Sequence, residues 1–126
     1  MYLFDRRNSD RFFIAGARVH FKTRKGELVL SPLADLTRSS ARFVITEELI
    51  ISDKIEIGID VPGHHLVRIK GTVVWTSSPL IENPAFAVVQ FLPFGTDSRY
   101  NSMRTHEHVK AIIEKHSDRI DTGTPL

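Results

Sequence analysis

Apolar and polar residues alternate along much of the chain, and the alternation divides it into short strands. From Ala17 to Phe21, Ala17, Val19 and Phe21 fall on one face and Arg18 and His20 on the other, within a β-forming stretch at 12–23 that also holds Phe12, Phe13 and Ile14. Arg24-Lys25-Gly26 signals a turn, and Glu27 to Leu30 returns as a second strand. Ser31-Pro32 is expected to end that strand, because proline cannot donate to a ladder. Residues 41–46 form a third strand and Leu49 to Ser52 a loop. At 54–61, Ile55, Ile57, Ile59 and Val61 oppose Lys54, Glu56, Gly58 and Asp60, the mark of a half-buried antiparallel strand. Pro62-Gly63-His64-His65 reads as a hairpin turn. A fifth strand spans 66–77 around Gly71 and carries the only tryptophan, Trp75, expected in the core because its strand is apolar. Pro79 and Pro84 punctuate a loop, residues 85–92 give a last strand, and Pro93-Phe94-Gly95 breaks it.

From Thr96 the period lengthens. Thr96 or Asp97 is placed to cap a helix, and Tyr100, Met103, Val109, Ile112 and Ile113 recur near helical spacing as an apolar stripe. The expected organisation is a flexible N-terminal arm at 1–11, a β-domain at 12–95, a helix at 96–117 and a polar tail at 118–126. About six short strands joined by turns, with no helices between them, indicate a mainly β fold. An antiparallel sheet closed as a barrel, with the helix over one mouth or flank, fits that pattern.

Composition narrows the chemistry. The chain has 126 residues, enough for one domain with one core. Its 17 Lys+Arg against 15 Asp+Glu leave a formal charge of only +2, so local clusters matter more than the total. Cysteine is absent, which excludes disulfides, thiolate nucleophiles and cysteine zinc sites and agrees with a reducing, cytoplasmic setting. No apolar run reaches bilayer length, and Asp5, Arg6 and Arg7 interrupt any signal-like start. His64-His65 lie in a turn, while His106 and His108 point to different helix faces, so no metal is expected. No nucleophile elbow, ordered Ser-His-Asp set or phosphate loop is present, so no enzymatic activity is expected.

Two segments carry what chemistry there is. Arg6-Arg7-Asn8-Ser9-Asp10-Arg11 concentrates guanidinium groups, and Asp35-Leu36-Thr37-Arg38-Ser39-Ser40-Ala41-Arg42-Phe43 offers a carboxylate and hydroxyls beside further arginines. A guanidinium binds phosphate oxygens as a fork, matches the O6 and N7 acceptors of guanine and stacks on a purine face. The pair therefore suits a small ligand with phosphates and purine edges. Taken by residue type alone, the arginines equally suit a solvated arm, and Asp35 and Thr37 a loop bonding its own backbone.

The arrangement resembles the PilZ domain, a bacterial receptor for cyclic di-GMP. Arg7-Asn8-Ser9-Asp10-Arg11 is similar to the family's Arg-x-x-x-Arg segment before the first strand, and Arg6 stands beside it. Asp35-Leu36-Thr37-Arg38-Ser39-Ser40 is similar to its Asp/Asn-x-Ser-x-x-Gly segment, with Thr37 for Ser and Ser40 for Gly. Gly71-Thr72-Val73-Val74-Trp75 resembles a Gly-x-Val-x-Trp strand, and Phe86 to Phe91 the final strand, with Val88 where many members carry Gly.

The resemblance covers residues 6–95 and implies a six-stranded antiparallel split barrel with a C-terminal helix. It implies that Arg7 and Arg11 contact guanine edges and phosphates and that Arg6 adds a phosphate contact or stacking. Asp35 would accept from guanine N–H groups, with Thr37 nearby. Ser40 would supply a donor or block the site; were its φ positive, it would cost about 1–2 kcal/mol. Arg38 and Arg42 are assigned no ligand contact. The implied protein is a non-enzymatic receptor that relays cyclic di-GMP to a protein effector by ordering its N-terminal arm, as a monomer or homodimer, without metal or membrane insertion. Two alternatives stay open: a degenerate PilZ-fold adaptor without nucleotide, and a small barrel binding single-stranded nucleic acid. The near balance of charge disfavours the last.

Overall fold

The computed structural model describes residues 11–23 and 25–123, with side chains as far as His116. Six strands, β1 (Arg18–Lys22), β2 (Leu28–Leu36), β3 (Ser40–Ile45), β4 (Lys54–Asp60), β5 (Val67–Thr76) and β6 (Ala85–Phe91), precede one helix, α1 (Met103–Gly123). The strands close into an antiparallel barrel in the order β1-β2-β3-β6-β5-β4. The expected mainly β fold, a six-stranded antiparallel barrel followed by one helix, is therefore present.

Alternation explains the core. Val19 and Phe21 of β1, Phe43 and Ile45 of β3, Ile57 and Ile59 of β4, and Val67, Ile69 and Val73 of β5 all point inward and are buried. Phe21 and Phe43 meet with ring centroids 5.0 Å apart. Gly71 is confined by close approach, since a Cβ there would meet Val89 Cγ1 at 2.4 Å and the Gln90 carbonyl at 2.6 Å.

The second strand corrects the reading of Pro32. β2 does not stop there but runs on to Leu36. Pro32 lies opposite Arg18, and its neighbour Leu33 donates to the Ala17 carbonyl at 3.0 Å. The register with β3 begins only at Leu33, so no ladder bond is required of the proline nitrogen.

The helix also starts later than its sequence pattern suggests. Asp97 instead closes a turn, accepting from the Arg99 backbone and guanidinium. The cap is Ser102, whose Oγ accepts from the Thr105 N–H at 3.1 Å. Tyr100 and Met103 fall outside the buried stripe and are more than a third exposed, whereas Val109, Ile112 and Ile113 join the barrel core. The helix runs to Gly123, beyond the expected 117.

Asn101 ties the helix to the barrel. It is buried, its Oδ1 accepts from Lys70 N–H at 2.7 Å, and its Nδ2 donates to the Lys70 and Leu92 carbonyls at 2.9 and 3.0 Å. His64, in the turn after β4, lies against His116 of the helix with centroids 5.7 Å apart.

Two predictions concern this junction. Asn101→Ala leaves the Lys70 N–H and the Leu92 carbonyl without their partner, while the Lys70 carbonyl keeps the Leu92 N–H, and should cost about 2–3 kcal/mol in urea unfolding, with Asn101→Asp in between. Burial, and then the Lys115 ammonium, hold the His64 pKa below its ordinary 6.5. The unfolded chain then binds the proton more readily, so the stability from neutral His64 is whole above about pH 6.5 and falls as pH drops below it. Unfolding midpoints measured across that range should show the decline, and His64→Gln should flatten it.

Candidate nucleotide-binding site

Two β-bulges build the outer surface of the barrel. Between β2 and β3, Leu33 pairs with Phe43 but Asp35 with Arg42, leaving Ala34 as the extra residue. Between β5 and β6, Val73 pairs with Val89 but Trp75 with Val88, leaving Val74 as the extra residue. A slip of one residue reverses which face a side chain occupies. Arg42 in turn pairs with Val88. A single row, Asp35–Arg42–Val88–Trp75, therefore crosses four strands on the outside.

Trp75 is thus not a core residue as its strand pattern implied. It is 46% exposed, and Val74 is exposed beside it. Continued alternation from Val73 would have turned the indole inward; the bulge turns it out.

Arg42, Val88 and Trp75 of this row form one wall of a cleft of about 520 Å³ that is also lined by Arg11, Thr37, Ser39, Ser40, Val74 and Gln90. Three of the sequence-predicted residues, Arg11, Thr37 and Ser40, line it together. A short bridge brings them there. Phe12 N–H donates to the Leu36 carbonyl at 2.9 Å and Leu36 N–H to the Phe12 carbonyl at 3.0 Å. That pairing sets Arg11 beside Thr37 although the two are far apart in sequence. Arg6 and Arg7 lie outside the described residues, as does the arm through residue 10.

The turn after β2 is organised by its own hydroxyls. Thr37 Oγ1 accepts from Ser39 N–H at 3.1 Å and lies 2.8 Å from Ser40 Oγ. Thr37 N–H donates to the Ser40 carbonyl at 2.9 Å. Ser40 opens β3, and the only non-glycine residue with positive φ among the described residues is Ser52. A serine where the family pattern has glycine therefore carries no left-handed strain here. Its hydroxyl remains in the cleft wall.

Asp35 is buried and does not line the cleft. Its Oδ2 accepts from Arg42 Nη2 at 2.8 Å. The Arg42 guanidinium also lies 5.0 Å from the centre of the Phe86 ring, and its buried Nε has no partner among the described residues. A carboxylate on one side and a ring on the other orient this cation at the cleft wall. Sequence reasoning missed Arg42, Trp75 and Gln90. Val88, which stands where many PilZ members carry Gly, also lines the cleft.

Among the described residues no group of three or more His, Asp or Glu could hold a metal, and no helix is long and apolar enough to cross a membrane. The cleft offers two guanidinium groups, a half-exposed indole, hydroxyls and an amide. That set suits a planar, anionic, hydrogen-bonding ligand.

No family model matches the sequence, and no curated protein matches it. Solved structures do. The chain is similar to K. pneumonia MrkH in its complex with c-di-GMP, with a TM-score of 0.74 at 11% identity over 96% of this chain and 57% of that one. It is similar to the PilZ domain of Escherichia coli YcgR with c-di-GMP, with a TM-score of 0.70 at 13% identity over 94% and 97% of the two chains. It is also similar to the Bacillus subtilis inhibitor of motility MotI/DgrA, with a TM-score of 0.65 at 10% identity over 91% and 53%. The chain thus spans just over half the length of MrkH and MotI and nearly the whole YcgR PilZ domain. At these identities the likeness is one of fold.

The exposed indole beside two arginines has a spectroscopic consequence. Iodide should quench the single tryptophan readily, and more strongly than caesium, because Arg11 and Arg42 attract the anion. A tryptophan shielded from both ions would contradict the bulged geometry.

Proposed function

We infer that the chain is a bacterial, cytoplasmic, non-enzymatic receptor whose cleft binds cyclic di-GMP. The observation that carries this reading is the meeting of Arg11, from the first motif, with Thr37 and Ser40, from the second, at one cleft. The likeness in fold to YcgR and MrkH, each solved with c-di-GMP, supports the same ligand.

Each part of a guanine cyclic dinucleotide has a match. Arg7 and Arg11 address phosphates and the O6 and N7 edge of guanine, with Arg6 adding a phosphate contact or stacking. Trp75 offers an apolar face for a base, and Arg42 a cation beside it. Asp35 holds Arg42 in place, so its contribution includes orienting that guanidinium as well as accepting from guanine N–H groups. Thr37 and Ser40 shape the floor and supply hydroxyls.

Because Arg6 and Arg7 precede the Phe12–Leu36 bridge, ligand contact would order the arm against the barrel from a fixed anchor at Phe12. The ordered arm then presents a new surface to a protein effector. No metal or further cofactor enters this reading. One observation favours the adaptor alternative: Ser40 places its Cβ and hydroxyl in the cleft wall where the family pattern has none.

Calorimetric titration with cyclic di-GMP tests the assignment. Low-micromolar or tighter binding is expected, weakened about tenfold to a hundredfold by Arg7→Ala or Arg11→Ala. No heat at ligand concentrations near a millimolar would overturn the receptor reading. Binding that appears only in Ser40→Gly would establish the adaptor.

A further inference from the structure

One end of the barrel carries exposed apolar residues that do not line the ligand cleft. Leu80 and Ile81, in the β5–β6 loop, are 91% and 85% exposed. They sit on an ordered turn, not a loose one: Ile81 and Glu82 N–H groups both donate to the Ser78 carbonyl, at 3.0 and 2.9 Å. Ser78 Oγ donates to Glu48 Oε1 at 3.2 Å and so holds this loop beside the β3–β4 loop. There Ile50 and Ile51 are also exposed. Four aliphatic side chains thus share one end of the barrel. Their loops carry Glu47, Glu48 and Glu82 and no Lys or Arg from Thr46 to Asp53 or from Ser77 to Pro84. We call this the knob.

Beside it lies a groove of about 570 Å³. It exists because the β1–β4 pairing that closes the barrel covers only part of the two strands. Pairing between β1 and β4 stops at His20–Gly58, although β1 continues to Lys22 and β4 begins at Lys54. Phe21 and Ile57 lie buried beneath the groove floor, and Leu28 and Leu66 are exposed at its margin. The charged walls carry Lys22, Lys54 and Arg68 against Asp53 and Glu56. The groove therefore presents two exposed leucines among walls with a slight excess of cations, while the knob is apolar with carboxylates only.

We propose that the knob of one copy docks in the groove of a second copy, forming a homodimer. The chemistry is complementary in both charge and polarity. The two surfaces also adjoin, because Leu49 and Asp53 of the knob's loop line the groove. Adjoining complementary patches allow a two-fold arrangement in which each copy gives its knob and receives its partner's, so the contact closes as a dimer. An anionic lipid surface fits poorly, since the carboxylates around the aliphatic tips would be repelled. The dimer is independent of the nucleotide reading, because no residue that lines the cleft also lines the groove or belongs to the knob.

Sedimentation velocity of the full chain, from about ten micromolar to about a millimolar, tests this. The expected mass rises toward twice the 14.3 kDa of one chain. Leu80→Ser/Ile81→Ser should weaken the dimer about a hundredfold by removing two buried aliphatic groups. Because both side chains are almost fully exposed within one copy, the thermal midpoint of the monomer should not move. Lys22→Glu/Arg68→Glu and Glu47→Lys/Glu82→Lys should each weaken self-association, and an equimolar mixture of the two should associate again as a heterodimer. A wild-type chain monomeric at every concentration would overturn the proposal. A dimer indifferent to Leu80→Ser/Ile81→Ser, or charge variants that do not recover on mixing, would overturn it equally.

Discussion

One extra residue in each of two strands decides what this barrel can bind. A closed sheet offers every strand one inward and one outward face, and uninterrupted alternation would put Trp75 inside. The bulges at Ala34 and Val74 break the alternation at two places, and the strands between them line up Asp35, Arg42, Val88 and Trp75 across the outer surface. The core does not suffer, because Leu36 still points inward after the first bulge and Val73 before the second. Cation, carboxylate and indole are thus gathered on rigid strands, with no loop needed to hold them.

The remaining cleft residues come from a different device. The Phe12–Leu36 bridge is only two hydrogen bonds, yet it fixes where the N-terminal segment reaches the barrel. It converts a separation of 26 positions, from Arg11 to Thr37, into adjacency. Asn101 does comparable work for the helix by spanning the end of β6 and the start of β5. The barrel consequently has three distinct regions: a helix-covered end, a polar outer cleft, and an apolar knob and groove where β1 and β4 part. The residues of the cleft and those of the knob and groove can then be altered separately.

Much of the fold is legible in the sequence because period-two patterns survive wherever a strand is regular. Ile55, Ile57, Ile59 and Val61 announce β4, and the turn at Pro62-Gly63 follows from residue type. The motifs holding Arg11, Thr37 and Ser40 are equally legible, and those residues do meet. What the pattern hides is any feature that costs one residue and no unusual composition. Ala34 and Val74 look like ordinary strand residues, so neither the outward turn of Trp75 nor the pairing of Asp35 with Arg42 can be read from them. The helix start was hidden differently: Thr96, Asp97 and Ser102 are all plausible caps by type, and tertiary bonds through Asn101 select the last. Pro32 was misleading because its meaning depends on which neighbour a strand edge faces.

The single tryptophan makes the central claim directly measurable. Its indole N–H gives one side-chain signal in a two-dimensional amide NMR spectrum of nitrogen-15-labelled protein. Saturating cyclic di-GMP should move that signal, together with the Thr37 and Gln90 amides, if the nucleotide occupies the cleft that Trp75 lines as proposed. A bound ligand that leaves the indole and both amides unmoved would contradict the placement of the nucleotide on the bulged face.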